Sequence, residues 1–522
     1  MLSTPIIVGL FASWFCFLLL SYKGQPKGLW TLALANTGER FGYYTMLAVF
    51  VLFLHDNFGF DSGWASETFS NFLFVVYLLP LFGGMLADKY GYSKMVVLGI
   101  MVMFIGYLIL SIPLGKATPA IIAMAAGLLL VSLGTGLFKG NLQVMVGDLY
   151  NAPEFADKRD SGFSLFYMAI NIGALFAPTA AISIMNWAQT SLGYSKADSY
   201  HFAFAVACVS VIASILIYYL GKKTFAHVIG TTKKADKAVE TQEAEVPAEN
   251  DTKERIVCLC LVFAVVIFFW MAFHQNGLTL TWFADEYTAT TSTGIESMMF
   301  DVRNLLALIF IVYGLFGIFQ SKGLPRFLAA IMIVAGAIFL YNMVPAAGVE
   351  TAISAPIFQH FNPCFVVILT PVSVALFGWL ASKGKEPKAP VKIGLGMLVA
   401  ACAYLWLTVD SVGLPAADPV NHIHQANVGP SLLVRTYLIL TFAELLLSPI
   451  GISFVTKVSP VKYKGMMMGG WFVATAIGNK LVSIPGHMWG MDLTIVWGTL
   501  MAICLLAAIF IFSIIKKLNK VA

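Results

Sequence analysis

Charge is what this sequence has least of. Lys, Arg, Asp and Glu make up 11% of its 522 residues, against about a quarter in a soluble domain. Too little polar skin remains to cover an apolar core in water. Extended polar stretches are scarce too, and the main one, Lys222 to Arg255, is rich in Lys, Glu, Ala and Thr. The seven cysteines (16, 208, 258, 260, 364, 402 and 504) all lie in apolar segments, and none forms a CxxC pair. That argues against a disulfide framework and a zinc site. His422-Ile423-His424 invites a metal reading, but no HExxH or comparable ligand set accompanies it, and an exterior loop is the expected place for it. The formal net charge of +5 needs no nucleic acid to explain it if the basic residues lie in cytoplasmic loops. Neither a cofactor nor a metal is expected, and an enzyme is not the favoured reading.

What the chain has instead is apolar length: 59% hydrophobic residues and a mean hydropathy of +0.82. Runs of about 18 residues or more recur from end to end, each long enough to cross a hydrocarbon core of roughly 30 Å as a helix. Lipid cannot satisfy a bare backbone, so the spans must be helices or a closed barrel. The runs are continuous rather than alternating, which argues against the barrel. An all-α polytopic membrane protein follows.

The expected spans are 5–21, 28–55, 64–88, 95–113, 118–147, 162–186 and 201–221, then 256–284, 303–320, 326–345, 356–382, 391–409, 431–457, 465–488 and 492–516. Segment 222–255 between the two sets is too polar to bury and reads as a cytoplasmic linker. Placing the start of 28–55 in the cytoplasm puts Lys23, Lys27, Lys89, Lys94, Lys158, Arg159, the linker and the Lys516–Lys520 tail on that side. The pair 303–345 preserves this alternation only as a unit and reads as an inserted helical hairpin. The lysines follow the apolar run 5–21 rather than precede it, so 1–27 reads as an extra helix rather than a secretory signal.

A few ionisable residues stand inside these apolar spans. Asn36, Glu39, Arg40, Tyr43 and Tyr44 fall on one helical face, roughly 140° wide. A charge at mid-span costs about 2.5–3.5 kcal/mol on insertion scales, so it should face a polar interior or a partner. Lys139 stands in a stripe with Ser132, Gly136 and Gln143, and Glu444 in one with Thr441 and Ser448. Tyr167 aligns with Asn171, and Trp270 with His274, Gly277 and Thr281; Phe273 and Trp471 could wall a cavity. Isolated ion pairs would explain one or two such positions; so many spans each donating one suggest a shared wet cavity.

At this point the segments become recognisable. Gly83 to Gly91 (GGMLADKYG) resembles the signature loop of the major facilitator superfamily, in which Asp88 and Lys89 could pair across a tight turn. Asn36 to Tyr44 (NTGERFGYY) resembles the first-helix motif ExxERFxYY of the proton-dependent oligopeptide transporters. Gly134 to Lys139 with Gly147 to Tyr150, and Phe166 to Gly173, are similar to that family's fourth and fifth helices. Phe269-Trp270, Asn362-Pro363, Glu444 to Pro449, Gly469 to Phe472 and Gly478 to Lys480 fit later ones.

The resemblance implies a major facilitator fold of two six-helix bundles, here with about three additional helices. The bundles would be 28–221 and 256–302 with 346–522. It further implies a monomer of the bacterial inner membrane that imports di- and tripeptides by proton symport through alternating access. Glu444 would then hold the peptide's amino terminus, Arg40 and Lys139 its carboxylate, and Asn171 and Asn362 its backbone. Tyr43, Tyr44, Trp270 and Trp471 would shape side-chain pockets. Two positions depart from the pattern: the motif's first glutamate is Asn36, and the seventh-helix acid is His274. Glu39, His274 and Glu444 remain as candidate proton carriers, with Asn36, Asp88 and Lys89 in gating or structural roles. The departures leave open a transporter of another small anion or zwitterion with altered or absent proton coupling.

Overall fold

The computed structural model describes residues 24–229, 249–344, 348–460 and 463–521; the expected helix 5–21 lies outside them. In the first half, α1 (Lys27–Phe58), α2 (Ser62–Tyr90), α3 (Tyr92–Leu110), α4 (Thr118–Asp148), α5 (Arg159–Leu192) and α6 (Lys196–Leu220) form one bundle. Its centre is α1, packed on α5 and α6, while α4 packs on α2 and α3. The second bundle contains α7 (Glu249–Phe273) with α8 (Thr279–Glu286), then α11 (Phe361–Ser382), α12 (Ala389–Asp410) and α13 (Ser431–Val458). It is completed by α14 (Lys464–Leu481) with α15 (Ser483–His487), and α16 (Leu493–Ser513), followed by the short α17 (Ile515–Val521). Twelve of the described segments are long and apolar enough to cross a membrane. Two more long helices, α1 and α14, complete the bundles.

Local chemistry explains the boundaries. Gly59, at φ +66°, ends α1 in the left-handed conformation that L side chains avoid, and its N–H returns to the His55 carbonyl at 2.7 Å. Asp61 caps α2 by accepting from Trp64 N at 2.8 Å. Close helix approach depends on missing side chains: a Cβ on Gly83 would strike the Gly136 backbone of α4, and one on Gly99 would strike Gly134.

Two expected spans are broken. The run 256–284 unwinds at His274–Gly277, where Asn276-Gly277 is a turn signal. The run 465–488 breaks between α14 and α15. The breaks face each other: Gln275 Nε2 donates to the Met271 carbonyl at 3.0 Å and to Val482 O, at the second break, at 3.1 Å. Non-helical backbone survives at membrane depth only where protein groups satisfy it, and Gln275 does so here.

The linker expected over 222–255 is shorter than composition suggests. Lys222–Thr224 and Ala226–Val228 form two 3-10 turns, because Phe225 buries itself against Tyr218, with ring centres 4.9 Å apart. At the far end, helix α7 already begins by Glu249.

The inserted hairpin is present as α9 (Val302–Gln320) and α10 (Leu324–Met343). Helix α10 packs chiefly on α9, which leans on α11 and touches α5, so the pair rides outside the bundles. Its entry and exit are held together by a two-stranded antiparallel ribbon, β1 (Thr291–Ser292) with β2 (Thr351–Ala352), in register Thr291 with Ala352.

Candidate functional site

Helices α2 and α5 of the first bundle meet α14, α15 and α11 of the second. Between them lies a cavity of about 290 Å³, close to the lower end of the range for small-molecule sites, about 300–1,000 Å³. Arg40, Tyr43 and Tyr44 from α1, Lys139 from α4 and Asn171 from α5 line it. So do Trp270 and His274 from the α7 segment, Asn362 from α11, Glu444 from α13 and Trp471 from α14. All the residues expected to bind substrate therefore converge on one space.

The charges are arranged by bundle. Arg40 and Lys139 come from the first, Glu444 from the second. Arg40 is held by Glu39: Nε lies 2.5 Å from Oε2 and Nη2 lies 2.6 Å from Oε1. Its guanidinium also sits 4.8 Å from the Tyr43 ring centre. The Lys139 ammonium has no carboxylate ion pair among the described residues; it lies 4.5 Å above the ring of Tyr77. Across the cavity, Glu444 Oε2 accepts from Asn362 Nδ2 at 3.0 Å, and the same nitrogen lies 3.1 Å from Thr441 Oγ1. Asn171 Nδ2 donates to the Tyr167 carbonyl at 3.0 Å.

Other expected site residues stand elsewhere. Glu39 is 0% exposed and does not line the cavity; it sits behind Arg40. Asn36 is buried outside the cavity wall as well. His274 does reach the cavity: its Nδ1 is 2.5 Å from Asn479 Oδ1, and its ring stacks on Trp270 at 5.0 Å. Asp88 and Lys89 do not pair with each other. Tyr92 OH, at the start of α3, donates to Asp88, and Lys89 lies over the Tyr90 ring at 5.3 Å, so each has another partner.

Three contributors escaped the sequence reading. Tyr77 is an aromatic in an apolar helix, Gln359 belongs to the turn before α11, and Asn479 lies 205 positions from its partner His274. Only Asn479 carried a signal, as part of the Gly478-Asn479-Lys480 motif.

The cavity is closed toward one end of the molecule. There Lys480 of α14 pairs with Glu67 of α2 and donates to Asn71 Oδ1 at 2.7 Å. Ser62 N donates to Pro419 O at 2.8 Å, and Gln359 Nε2 donates to Ala48 O at 3.2 Å. The basic loops place this sealed end outside. Toward the basic side, the cavity-lining Tyr167 is 45% exposed and Ile452 is 40% exposed. The cavity thus opens toward the cytoplasm.

Comparison with known proteins agrees with this architecture. The chain is 28% identical to the uncharacterized transporter YclF of Bacillus subtilis, over 96% of each chain. It is 27% identical to a di-/tripeptide transporter of Lactococcus lactis, over 88% of this chain and 89% of that one. A solved peptide transporter POT in complex with sulfate superposes with a TM-score of 0.72 at 24% identity, covering 95% of this chain and 96% of that one. The profile of the POT family matches residues 93–242 and 332–488, which take in Lys139, Asn171, Asn362, Glu444 and Trp471. With the two bundles and the shared cavity already in place, that match settles the family: this chain belongs to the POT family.

Proposed function

We propose that the protein imports di- and tripeptides with protons by alternating access across the bacterial inner membrane. The observation that carries this reading is the division of charge between the bundles: Arg40 and Lys139 on one wall, Glu444 on the other. A zwitterion of limited length can place its carboxylate at the first pair and its amino group at the last, and a longer chain cannot reach both termini at once. Each charge buried by the ligand then meets an opposite one, which offsets desolvation. Because the poles belong to different bundles, a bound peptide draws the bundles together, which is how binding biases an alternating-access equilibrium. Asn171 and Asn362 supply amide groups for the peptide backbone, and Tyr43, Tyr44, Trp270 and Trp471 bound the side-chain space. The protein named as a di-/tripeptide transporter in Lactococcus lactis supports the same cargo.

The test is uptake of dialanine into proteoliposomes under an imposed inward proton gradient and membrane potential. Accumulation that responds to neither gradient refutes proton symport, and absence of dialanine uptake refutes the cargo.

A second reading rests on His274 and Lys139. With an imidazole where the family pattern has an acid, Lys139 faces Tyr77 rather than a carboxylate, and the wall formed with Arg40 is more cationic. Another small anion or zwitterion, with altered or absent proton coupling, fits that wall. Competition of labelled dialanine by dipeptides, single amino acids and nitrate separates the two.

A further inference from the structure

A second cavity, of about 510 Å³, lies at the cytoplasmic end of the second bundle. Its walls are the loop before α12 (Glu386 to Lys388), the start of α12 (Ala389 and Lys392) and the last turns of α13. Glu444, Ser448 and Ile452 of α13 line the transport cavity. At about 100° per residue, Pro449, Ile450, Ser453, Phe454, Lys457 and Val458 fall on the opposite side of that helix, and these line the second cavity. The two spaces therefore share α13 but not a face of it.

Three lysines and one glutamate are the charged groups of its lining. Lys392 is only 8% exposed; its Nζ lies 2.5 Å from Glu386 Oε1 and 4.0 Å from the ring centre of Phe377 on α11. Lys388 Nζ donates to the Asn519 carbonyl of α17 at 2.9 Å. Lys457 is exposed on the rim, and no carboxylate among the described residues pairs with it. Basic residues on the cytoplasmic side are the rule for such proteins; a lysine buried beside a cavity is not.

The helix start adds to the imbalance. The N-terminus of a helix carries partial positive charge and favours acids. Helix α12 has no acidic residue in its first turn and no side-chain cap, and its N-cap position is Lys388. Glu386 offsets one of the positive charges gathered there, and an anion from outside the chain is needed for the others.

The remaining lining is apolar, chiefly Ile450, Phe454 and Val458 beside Pro387 and Pro449. Trp379, two positions beyond the Phe377 that Lys392 covers, is 59% exposed near the end of α11. Exposed tryptophans at helix ends mark the level of the lipid headgroups. A basic and apolar cavity at that depth faces the surface where anionic lipids concentrate.

We propose that this cavity binds a phosphate-bearing anion, supplied as the headgroup of an anionic phospholipid of the cytoplasmic leaflet. The phosphate meets Lys392, Lys457 and the start of α12, and the glycerol end lies against Ile450, Phe454 and Val458. A phospholipid satisfies both kinds of wall, whereas free phosphate satisfies only the basic one. Bound there, it joins the start of α12 to the end of α13, the helix that carries Glu444. The site does not depend on the identity of the cargo or on proton coupling.

The test uses the purified full chain in detergent and reads thermal unfolding against added phosphatidylglycerol or phosphatidylcholine with the same acyl chains. The half-stabilising concentration should be about tenfold lower or more for phosphatidylglycerol, the scale of two lysines beside an anionic headgroup. Lys392 is buried, so the exposed Lys457 carries the variant. Lys457→Gln should raise the phosphatidylglycerol value about fivefold, the scale of one lysine, and leave the phosphatidylcholine value unchanged. Lys94→Gln, at an exposed position near the start of α3 in the other bundle, should change neither. Equal values for the two lipids overturn the lipid assignment. An unchanged Lys457→Gln, or an equal loss in Lys94→Gln, overturns the site itself. Inorganic phosphate is the third arm: stabilisation by phosphate that Lys457→Gln abolishes, with no preference between the lipids, assigns the cavity to a free anion and overturns the lipid.

Discussion

Arg40 reaches back along its own helix to Glu39, its immediate neighbour, and the two make a bidentate pair at 2.5 and 2.6 Å. Adjacent positions on a helix point about 100° apart, so the contact exists because the arginine bends rather than because the two share a face. Glu39 thereby becomes the back support of the cavity's cationic wall.

Removing that support should cost both stability and function. Breaking a buried pair by deleting one partner typically costs about 3–5 kcal/mol. Glu39→Ala should therefore lower the thermal unfolding temperature in detergent markedly and reduce dialanine uptake. Glu39→Gln, which keeps the shape and can still accept a hydrogen bond, should unfold closer to the parent protein. Equal stability of all three proteins would contradict the support role.

Glu444 is the carboxylate of the opposite wall, and Asn362 aims it. A hydrogen bond to a charged group is worth about 1.5–3 kcal/mol, so Glu444→Gln should weaken dialanine binding by roughly ten- to a hundredfold. Calorimetry reads this directly. N-acetylated dialanine, which lacks the ammonium, should bind parent and variant alike.

His274 lies within electrostatic reach of Lys139. A carboxylate introduced there by His274→Glu should pair with the lysine when ionised and compete with the peptide's own carboxylate. Affinity near pH 7.5 should fall about tenfold, the scale of one charge-assisted contact. It should recover as acid protonates the new glutamate and frees Lys139. A variant whose binding is flat from pH 5 to pH 8 would show that Lys139 does not face the ligand carboxylate.

The outer pair between Lys480 and Glu67 is partly exposed, with 38% of each side chain accessible. Exposed pairs contribute about 0–1 kcal/mol. Lys480→Met should therefore raise the outward-open population by no more than roughly fivefold, read as alkylation, by a membrane-impermeant reagent added outside, of a cysteine placed at the buried, cavity-lining Phe69. A much larger shift would mean that this one pair is the main closure of the outer end.

The parts readable beforehand were those where a residue contradicts its surroundings. Arg40, Lys139 and Glu444 announced themselves because charge inside an apolar run requires a reason, and all three do share a cavity. Glu39 was equally conspicuous, but periodicity could not tell a cavity-lining position from one a step around the helix. Tyr77 and Gln359 gave no such contradiction: an aromatic in a helix and a glutamine in a turn are ordinary residues, and only tertiary packing brings them to the site. The Glu286–His422 contact depends on a loop folding inward between elements 136 positions apart, which no local pattern encodes. The unwinding at His274 is a middle case, since Asn276-Gly277 marked a turn while the hydropathy of the run concealed it.

The ribbon of Thr291–Ser292 with Thr351–Ala352 brings the two ends of the insertion side by side. Everything between those strands is consequently a closed excursion of the chain, leaving and rejoining the scaffold at one place. Such a unit can be acquired or lost as a cassette without rethreading the twelve helices around it. Its bilayer-facing surface can also diversify under selection separate from that on the transport path.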